Sequence, residues 1–227
     1  MQLTREEFKR RIEEKRLAIA FIGMSNIGKS YRARQLKEEK RFDLLSVDSE
    51  IEKILGLEGI EAVAHWMGFP HERRYPKAER DYLEAEAQVM GQLKPPRKKN
   101  FILDTTGSVI YLTPETLGLL KENFFVVHFA VDATMIQEMT EKFFAHPKPV
   151  IWGGMFQQKP KESLEVAFRR CYSDWLKFRL TKYHELADLS ISGKISTDSK
   201  ISIDQFLEAI QEKLFASGDA PISRKSD

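Results

Sequence analysis

The stretch Gly23-Met-Ser-Asn-Ile-Gly28-Lys29-Ser30 combines two glycines with an adjacent amine and hydroxyl, fitting the pattern G-x-x-x-x-G-K-[ST]. Its setting is the one that pattern requires. An apolar run of strand length, LAIAFIG (17–23), precedes it, and a segment of helical composition, 28–40, follows. Glycines let the backbone fold closely around phosphate oxygens, while inward-pointing amides of 25–30 and a helix N-terminus supply positive potential. The expected nucleotide contacts are Gly23, Ser25, Asn26, Ile27, Gly28, Lys29, Ser30 and Tyr31. Lys29 is expected to reach the β- and γ-phosphates of ATP, and the Ser30 hydroxyl to ligate Mg²⁺. A GTPase would carry an N-K-x-D base-reading motif after a later strand, and this sequence has none. A small-molecule kinase needs less: an acceptor pocket, an acid to orient a hydroxyl, and a closing lid.

The elements that must hold such a loop are readable along the chain. Thr4 followed by Glu7 fits a capping box for an N-terminal helix within 1–15. After the loop come a short strand at 44–47 and a helix at 49–55 ending near Gly56. GFPHERRYP (68–76) is a loop, 77–93 a long helix, and FILD (101–104) a third strand. Thr-Pro-Glu starts a helix at 113–123, and FFVVHFAVD (124–132) is a fourth strand. Residues 145–161, rich in Pro, Gly and Lys, read as a mobile lid, set at about 144–161, with Trp152 and Gly153-Gly154 suited to hinge and cover. A helix at 162–186, the strand LSIS (189–192) and a helix at 203–215 complete a domain of 16–215, with 216–227 a disordered tail. Strands alternating with helices, without hairpin signals, predict a single α/β domain with a parallel sheet covered on both faces.

Composition narrows the function classes. With 36 Lys and Arg against 34 Asp and Glu in 227 residues, the charge is nearly balanced, which argues against nucleic-acid and membrane-surface partners. The single cysteine, Cys171, fits a reducing compartment. No apolar stretch approaches the roughly 20 residues of a membrane span, and the N-terminus is charged where a signal peptide would be apolar. A cytoplasmic monomer acting on a small molecule is the expectation. The histidines lack metal-ligand spacing, and the stripe Phe168, Cys171, Tyr172, Trp175 and Leu176 reads as core.

Three segments together resemble the shikimate kinase family. GKSYRARQL followed by VDSEIEKILG is similar to a phosphate loop followed by D-[ST]-D-x-E-I-E-K-x-x-G, without a gap from Lys29 to Gly56. FILDTTGSV (101–109) is similar to a strand ending in G-G-G-[SA]-V. RLTKYHELADLSI (179–191) resembles R-x-P-L-Y-x-E-x-A-D-x-x-I nearly position for position. The likeness spans roughly residues 17–212. It implies a nucleoside-monophosphate-kinase-like fold with a lid, ATP and Mg²⁺ as cofactors, and a carboxylated polyol, shikimate first, as acceptor. On it Asp48 orients the attacking hydroxyl, Arg179 grips the acceptor carboxylate and Gly107 approaches the acceptor closely. The residues themselves leave alternatives open: Asp48 as a helix N-cap, and Arg179 as a solvated residue on a basic face.

The pattern breaks at four places. Ser46 stands where the family has its magnesium-associated aspartate. Asp104, ending an apolar strand as Walker-B aspartates do, is a compensating metal residue with Ser30, or else a turn cap. Thr105-Thr106 replace two glycines, which is expected to narrow the pocket or add hydroxyls to it. Lys148-Pro149 is the nearest match to the lid Arg-Pro, so Lys148 is the expected closing cation. Arg73, Arg74 and Arg80 compete for a second acceptor clamp, because the match slips by several residues there. A different acceptor, or a nucleotide-binding sensor that has lost turnover, are the alternatives.

Overall fold

The computed structural model describes residues 3–146 and 149–215. Five strands form one parallel sheet: β1 (Ala18–Ile22), β2 (Asp43–Ser46), β3 (Phe101–Asp104), β4 (Phe125–Ala130) and β5 (Leu189–Ser192), in the order β2-β3-β1-β4-β5. Both faces are buried, so the strands read as apolar runs rather than alternations. The alternation reappears in the core. Ala20 and Ile22 of β1 join one apolar cluster and Ile19 and Phe21 the other.

On the first face lie α3 (Val47–Leu55), α4 (Gly59–Met67), α5 (Tyr75–Gly91), α6 (Pro114–Asn123), α7 (Ala133–Ala145) and α8 (Leu164–Leu186). On the second lie α1 (Arg5–Glu13), α2 (Lys29–Lys40) and α10 (Ile203–Glu212), with the five-residue α9 (Gly193–Thr197) near the loop. The N-terminal helix is part of this second layer. Thr4 caps it, Phe8 packs edge-on against Phe125, and Asn100 bridges Ile12 to the backbone of Leu17.

Three α-helices escape the sequence reading, the five-residue α9 among them. α4 follows Gly56 and Gly59, both in the left-handed region, and has no side-chain cap to announce it. α7 starts at Asp132, whose carboxylate accepts from the Met135 amide at 2.9 Å, and it lies just before the stretch read as a lid. The described part of that stretch is docked rather than open. Trp152 is 1% exposed, surrounded by Phe143, Phe156, Phe168, Tyr172 and Trp175. Its amide and that of Gly153 donate to Glu79 at 2.7 and 2.9 Å. An apolar ring of that area is stabilised far more by the core than by solvent, which overrides the Pro/Gly composition. Lys148 and the tail 216–227 lie outside the described residues.

The strand order reverses at β1, which sits between β3 and β4. Open α/β sheets hold ligands outside the carboxyl ends of their strands at such a point. Gly23, Ser46, Asp104 and the loop 105–108 all emerge there.

Candidate functional site

The loop 23–30 closes on the start of α2 with Gly23 at φ 142°, Asn26 at 62° and Gly28 at 90°. A Cβ on Gly28 would lie 2.7 Å from the Ser196 carbonyl oxygen, so this turn needs glycine for conformation and for space. The Ser196 hydroxyl donates to Ile27 O at 2.7 Å, tying the loop to α9. Arg32, fully buried, donates to the carbonyls of Ile195, Ser196, Asp198 and Ile201, bracing the segment behind the loop. A groove of about 400 Å³ opens between them, lined by Asn26, Gly28, Lys29, Ser30, Tyr31, Thr197 and Ser199.

Lys29 folds back inside the loop, where its Nζ donates to Gly23 O at 3.0 Å and Met24 O at 2.9 Å. Burial lowers its pKa, and the charges of Asp104 and Asp48 act in the opposite direction. Those two carboxylates therefore act on the same ammonium, Asp104 from the end of β3 and Asp48 from the start of α3.

A second cavity, of about 260 Å³, adjoins the loop. Its walls include Ser25, Asn26, Lys29 and Ser30 together with Asp48, Gly107 and Arg179. Asp48 and Arg179, 131 positions apart in sequence, thus share one space with the phosphate-loop lysine. Ser46 is the N-cap of α3, accepting from the Ser49 amide at 3.4 Å. Asp48 instead lies within the first turn of the helix, where it accepts from the Tyr82 hydroxyl at 3.0 Å.

Arg179 is buried, not solvated. Its Nη2 donates to Tyr183 Oη at 2.7 Å and to Gly107 O, and its guanidinium lies 4.5 Å from the Trp175 ring centre. A Cβ on Gly107 would come within 2.7 Å of Arg179 Nη2 and 3.1 Å of Ser25 Oγ, so this glycine lets three elements meet.

Asp104 ends β3 in register with Ser46 of β2 and Phe21 of β1. Ser30 and Lys29 lie close enough to act on its charge, while its buried Oδ1 has no hydrogen-bond partner. Burial raises its pKa, opposed by Ser30 and Lys29. An orphaned carboxylate oxygen beside a phosphate-loop hydroxyl is a donor set that fits Mg²⁺, which binds through one or two protein oxygens and keeps several waters. Asp104 thus places a carboxylate on the strand next to Ser46. Among the described residues no group of three or more His, Cys, Asp or Glu could hold a metal ion.

Other expectations are redirected. Arg73, Arg74 and Arg80 do not line this cavity. Arg74 pairs with Glu72 at 2.9 Å and faces a separate surface depression, Arg80 is exposed near Asp81 and Glu84, and Arg73 is exposed. The helical period decides this for Arg80: α5 turns Tyr75, Ala78, Tyr82, Ala85, Glu86 and Val89 inward, Arg80 falls off that stripe, and Arg73 and Arg74 precede the helix. The hydroxyls of Thr105 and Thr106 do not serve the cavity either. Thr105 donates to Phe21 O at 2.7 Å and Thr106 to Glu86.

Sequence reasoning missed Tyr82, Glu86 and Ser108, as well as the apolar wall that α4 contributes through Ile60, Val63, Ala64 and Met67. A signal existed for Glu86, an acidic residue on an otherwise apolar helical stripe.

The comparison with solved structures follows this geometry. A shikimate kinase from Acinetobacter baumannii in complex with shikimate matches with a TM-score of 0.58 at 20% identity, over 90% of this chain and 95% of that one. This chain has the shikimate kinase fold. The enzyme from Aquifex aeolicus gives a TM-score of 0.54 at 19% identity, covering 85% of this chain and 95% of that one. The one from Bacteroides thetaiotaomicron gives 0.57 at 14%, covering 86% and 97%. No family model and no curated protein matches the sequence. Within the shikimate kinase fold this chain is therefore divergent in sequence. Among the described residues, no helix is long and apolar enough to cross a membrane.

Proposed function

We propose that this protein transfers the γ-phosphoryl group of ATP to a hydroxyl of a small carboxylated acceptor, with shikimate the first candidate. The convergence of Asp48, Arg179, Lys29 and Ser30 on one cavity carries this reading. Phosphoryl transfer asks for positioning and charge stabilisation more than covalent chemistry. The loop amides and Lys29 hold the phosphates, with Lys29 leaving the carbonyls of Gly23 and Met24 to do so. Asp48 orients the acceptor hydroxyl and takes its proton. Arg179, preset by Trp175, Tyr183 and Gly107 O, directs its guanidinium to the acceptor carboxylate. Ser30 and Asp104 would hold Mg²⁺, which neutralises charge on the β- and γ-oxygens when bound. Lys148 is the cation proposed to close over the transfer.

A second reading keeps the kinase and changes the acceptor. The wall of Ile60, Val63, Ala64 and Met67 favours it, because an acceptor with an apolar face would bury against these side chains. ADP release by the full chain with Mg²⁺ and ATP, measured with shikimate and with other hydroxy acids, tests both. Acceptor-dependent release is expected to fall about 10²–10³-fold or more in Lys29→Ala. Stimulation by shikimate supports the first reading, and stimulation by a less polar hydroxy acid alone the second. ATP binding with no acceptor-dependent release would overturn both in favour of a nucleotide sensor.

A further inference from the structure

Glu86 has no part in the chemistry above, yet it is completely buried in α5 beside the acceptor cavity. Its hydrogen-bond donors are two hydroxyls: Thr106 Oγ1 to one carboxylate oxygen and Ser108 Oγ to the other at 2.6 Å. The Ser108 amide donates to Thr106 Oγ1 at 3.0 Å, which holds the pair in place. Ser108 lines the cavity with Tyr82, and its hydroxyl acts on the Tyr82 phenol. Tyr82 in turn donates to Asp48 at 3.0 Å. The hydroxyls of Ser108 and Tyr82 thus stand between a carboxylate in the interior and the one that lines the cavity.

We propose that Glu86 is a positioning residue for Asp48, acting through Ser108 and Tyr82 to set whether Asp48 is held by the protein or released to the acceptor.

Hydrogen counting along these groups gives the direction. An ionised Glu86 is an acceptor only, so it draws the hydrogens of both Thr106 and Ser108. Ser108 then presents a lone pair to Tyr82, whose single hydrogen is shared between Ser108 and Asp48. Asp48 is left free to accept from an incoming hydroxyl. A neutral Glu86 must donate its own hydrogen to one of the two hydroxyls. Ser108 can then turn its hydrogen toward Tyr82, and the Tyr82 hydrogen is committed to Asp48. Tyr82 is a faithful relay because burial and Asp48 hold its pKa well above the ordinary phenol range, so it keeps its proton throughout.

The groups that face Glu86 are few. Asp48 acts from α3, Arg179 and Tyr183 from α8, and Tyr82 from α5 itself, while the exit of β3 contributes the two hydroxyls. Burial comes first among the influences and pushes the Glu86 carboxyl up to about 7, with Ser108 and Thr106 opposing it and the Asp48 charge adding to it. Its change of state therefore falls near neutrality. Turnover is expected to rise as pH increases through about 7.

The consequence for turnover rests on the phosphotransferase reading; the switch in hydrogen bonding does not. The primary test is therefore the NMR signal of the Tyr82 Cζ carbon in the full chain, followed through neutral pH. Wild type is expected to show an inflection near 7, although Tyr82 itself does not ionise there, and Glu86→Gln is expected to lose it. Ser108→Ala keeps Glu86 in place and cuts the link, so the Tyr82 inflection should vanish while the Glu86 carboxyl still titrates. A Tyr82 signal that stays flat in wild type, or an inflection that survives in Glu86→Gln, overturns the proposal. In acceptor-dependent ADP release, the expected break near 7 should be absent in Glu86→Gln; a retained break counts equally against it. Absence of turnover with every acceptor would remove the phosphotransferase reading, and the Tyr82 signal would still decide this one.

Discussion

Gly107 has no side chain, and the acceptor side of the cavity depends on that. Its carbonyl receives the Arg179 guanidinium and the Tyr183 hydroxyl, and its Cα leaves room for Ser25. Gly107→Ala should push Arg179 out of place, since overpacking of this kind costs about 1–3 kcal/mol. Acceptor KM is expected to rise about tenfold or more on that scale, with KM for ATP unchanged, in steady-state ADP release. An equal rise in both constants would mean that the phosphate loop, not Arg179, had moved. His128 offers a separate check on this interior. It is buried on β4, stacks on Tyr183 and bonds Ser190 through Nδ1 at 3.2 Å, and its pKa is lowered to about 4 by burial first, then by His184 and Lys29. The unfolded chain takes up a proton at His128 below its ordinary value of 6.5, whereas the fold resists protonation until about 4. Its contribution to stability is therefore full above 6.5 and lost as pH falls toward 4. Tm measured across that window should fall less steeply in His128→Gln than in wild type.

At the scale of elements, α5 acts as the frame for two others. Tyr82 meets Asp48 of α3, and Glu79 fastens the segment that carries Pro149, Val150 and Ile151 into the cavity wall. Glu79 Oε1 accepts from the Trp152 and Gly153 amides and from the Tyr75 hydroxyl, which itself donates to Val150 O at 2.6 Å. Glu79→Ala takes an acceptor from these amides, leaving Gly153 without one and Trp152 with Tyr75 Oη alone. A buried donor that loses its acceptor costs about 1–3 kcal/mol, so a lower Tm together with a raised acceptor KM is expected. An unchanged Tm would show that the aromatic cluster around Trp152 anchors the segment without Glu79. The elements were legible where a start signal and a cap agreed, as in α1 with Thr4 and α6 with Thr113. They were not legible in α4, which lacks a cap, or in residues 149–161, where aromatic burial overrides a composition typical of loops.

For the whole molecule, one sheet separates two apolar layers, and β1 contributes alternate residues to each. A sheet shared in this way couples the layers, since neither can open without exposing strand side chains of the other. The three tryptophans, Trp66, Trp152 and Trp175, all pack in or against the layer that contains α5 and α8. The helices α1, α2 and α10 belong to the other layer. Unfolding followed by tryptophan fluorescence and by far-UV circular dichroism should therefore give coincident transitions in denaturant. Separate midpoints would show that the layers unfold independently.

The amino-acid order by itself determined the phosphate loop and most of the parallel α/β elements, because these depend on spacing, period and local backbone conformation. It also singled out Asp48, Asp104, Gly107 and Arg179. Tertiary structure decided their company: that Asp48 and Arg179 face one cavity, that Asp104 lies beside Ser46, and that Arg73, Arg74 and Arg80 turn away from it. It also decided that Glu86 is buried against two hydroxyls and that Tyr82 bonds Asp48. These relations depend on helix phase and on strand neighbours far apart in the chain, and no local pattern of residues encodes either one.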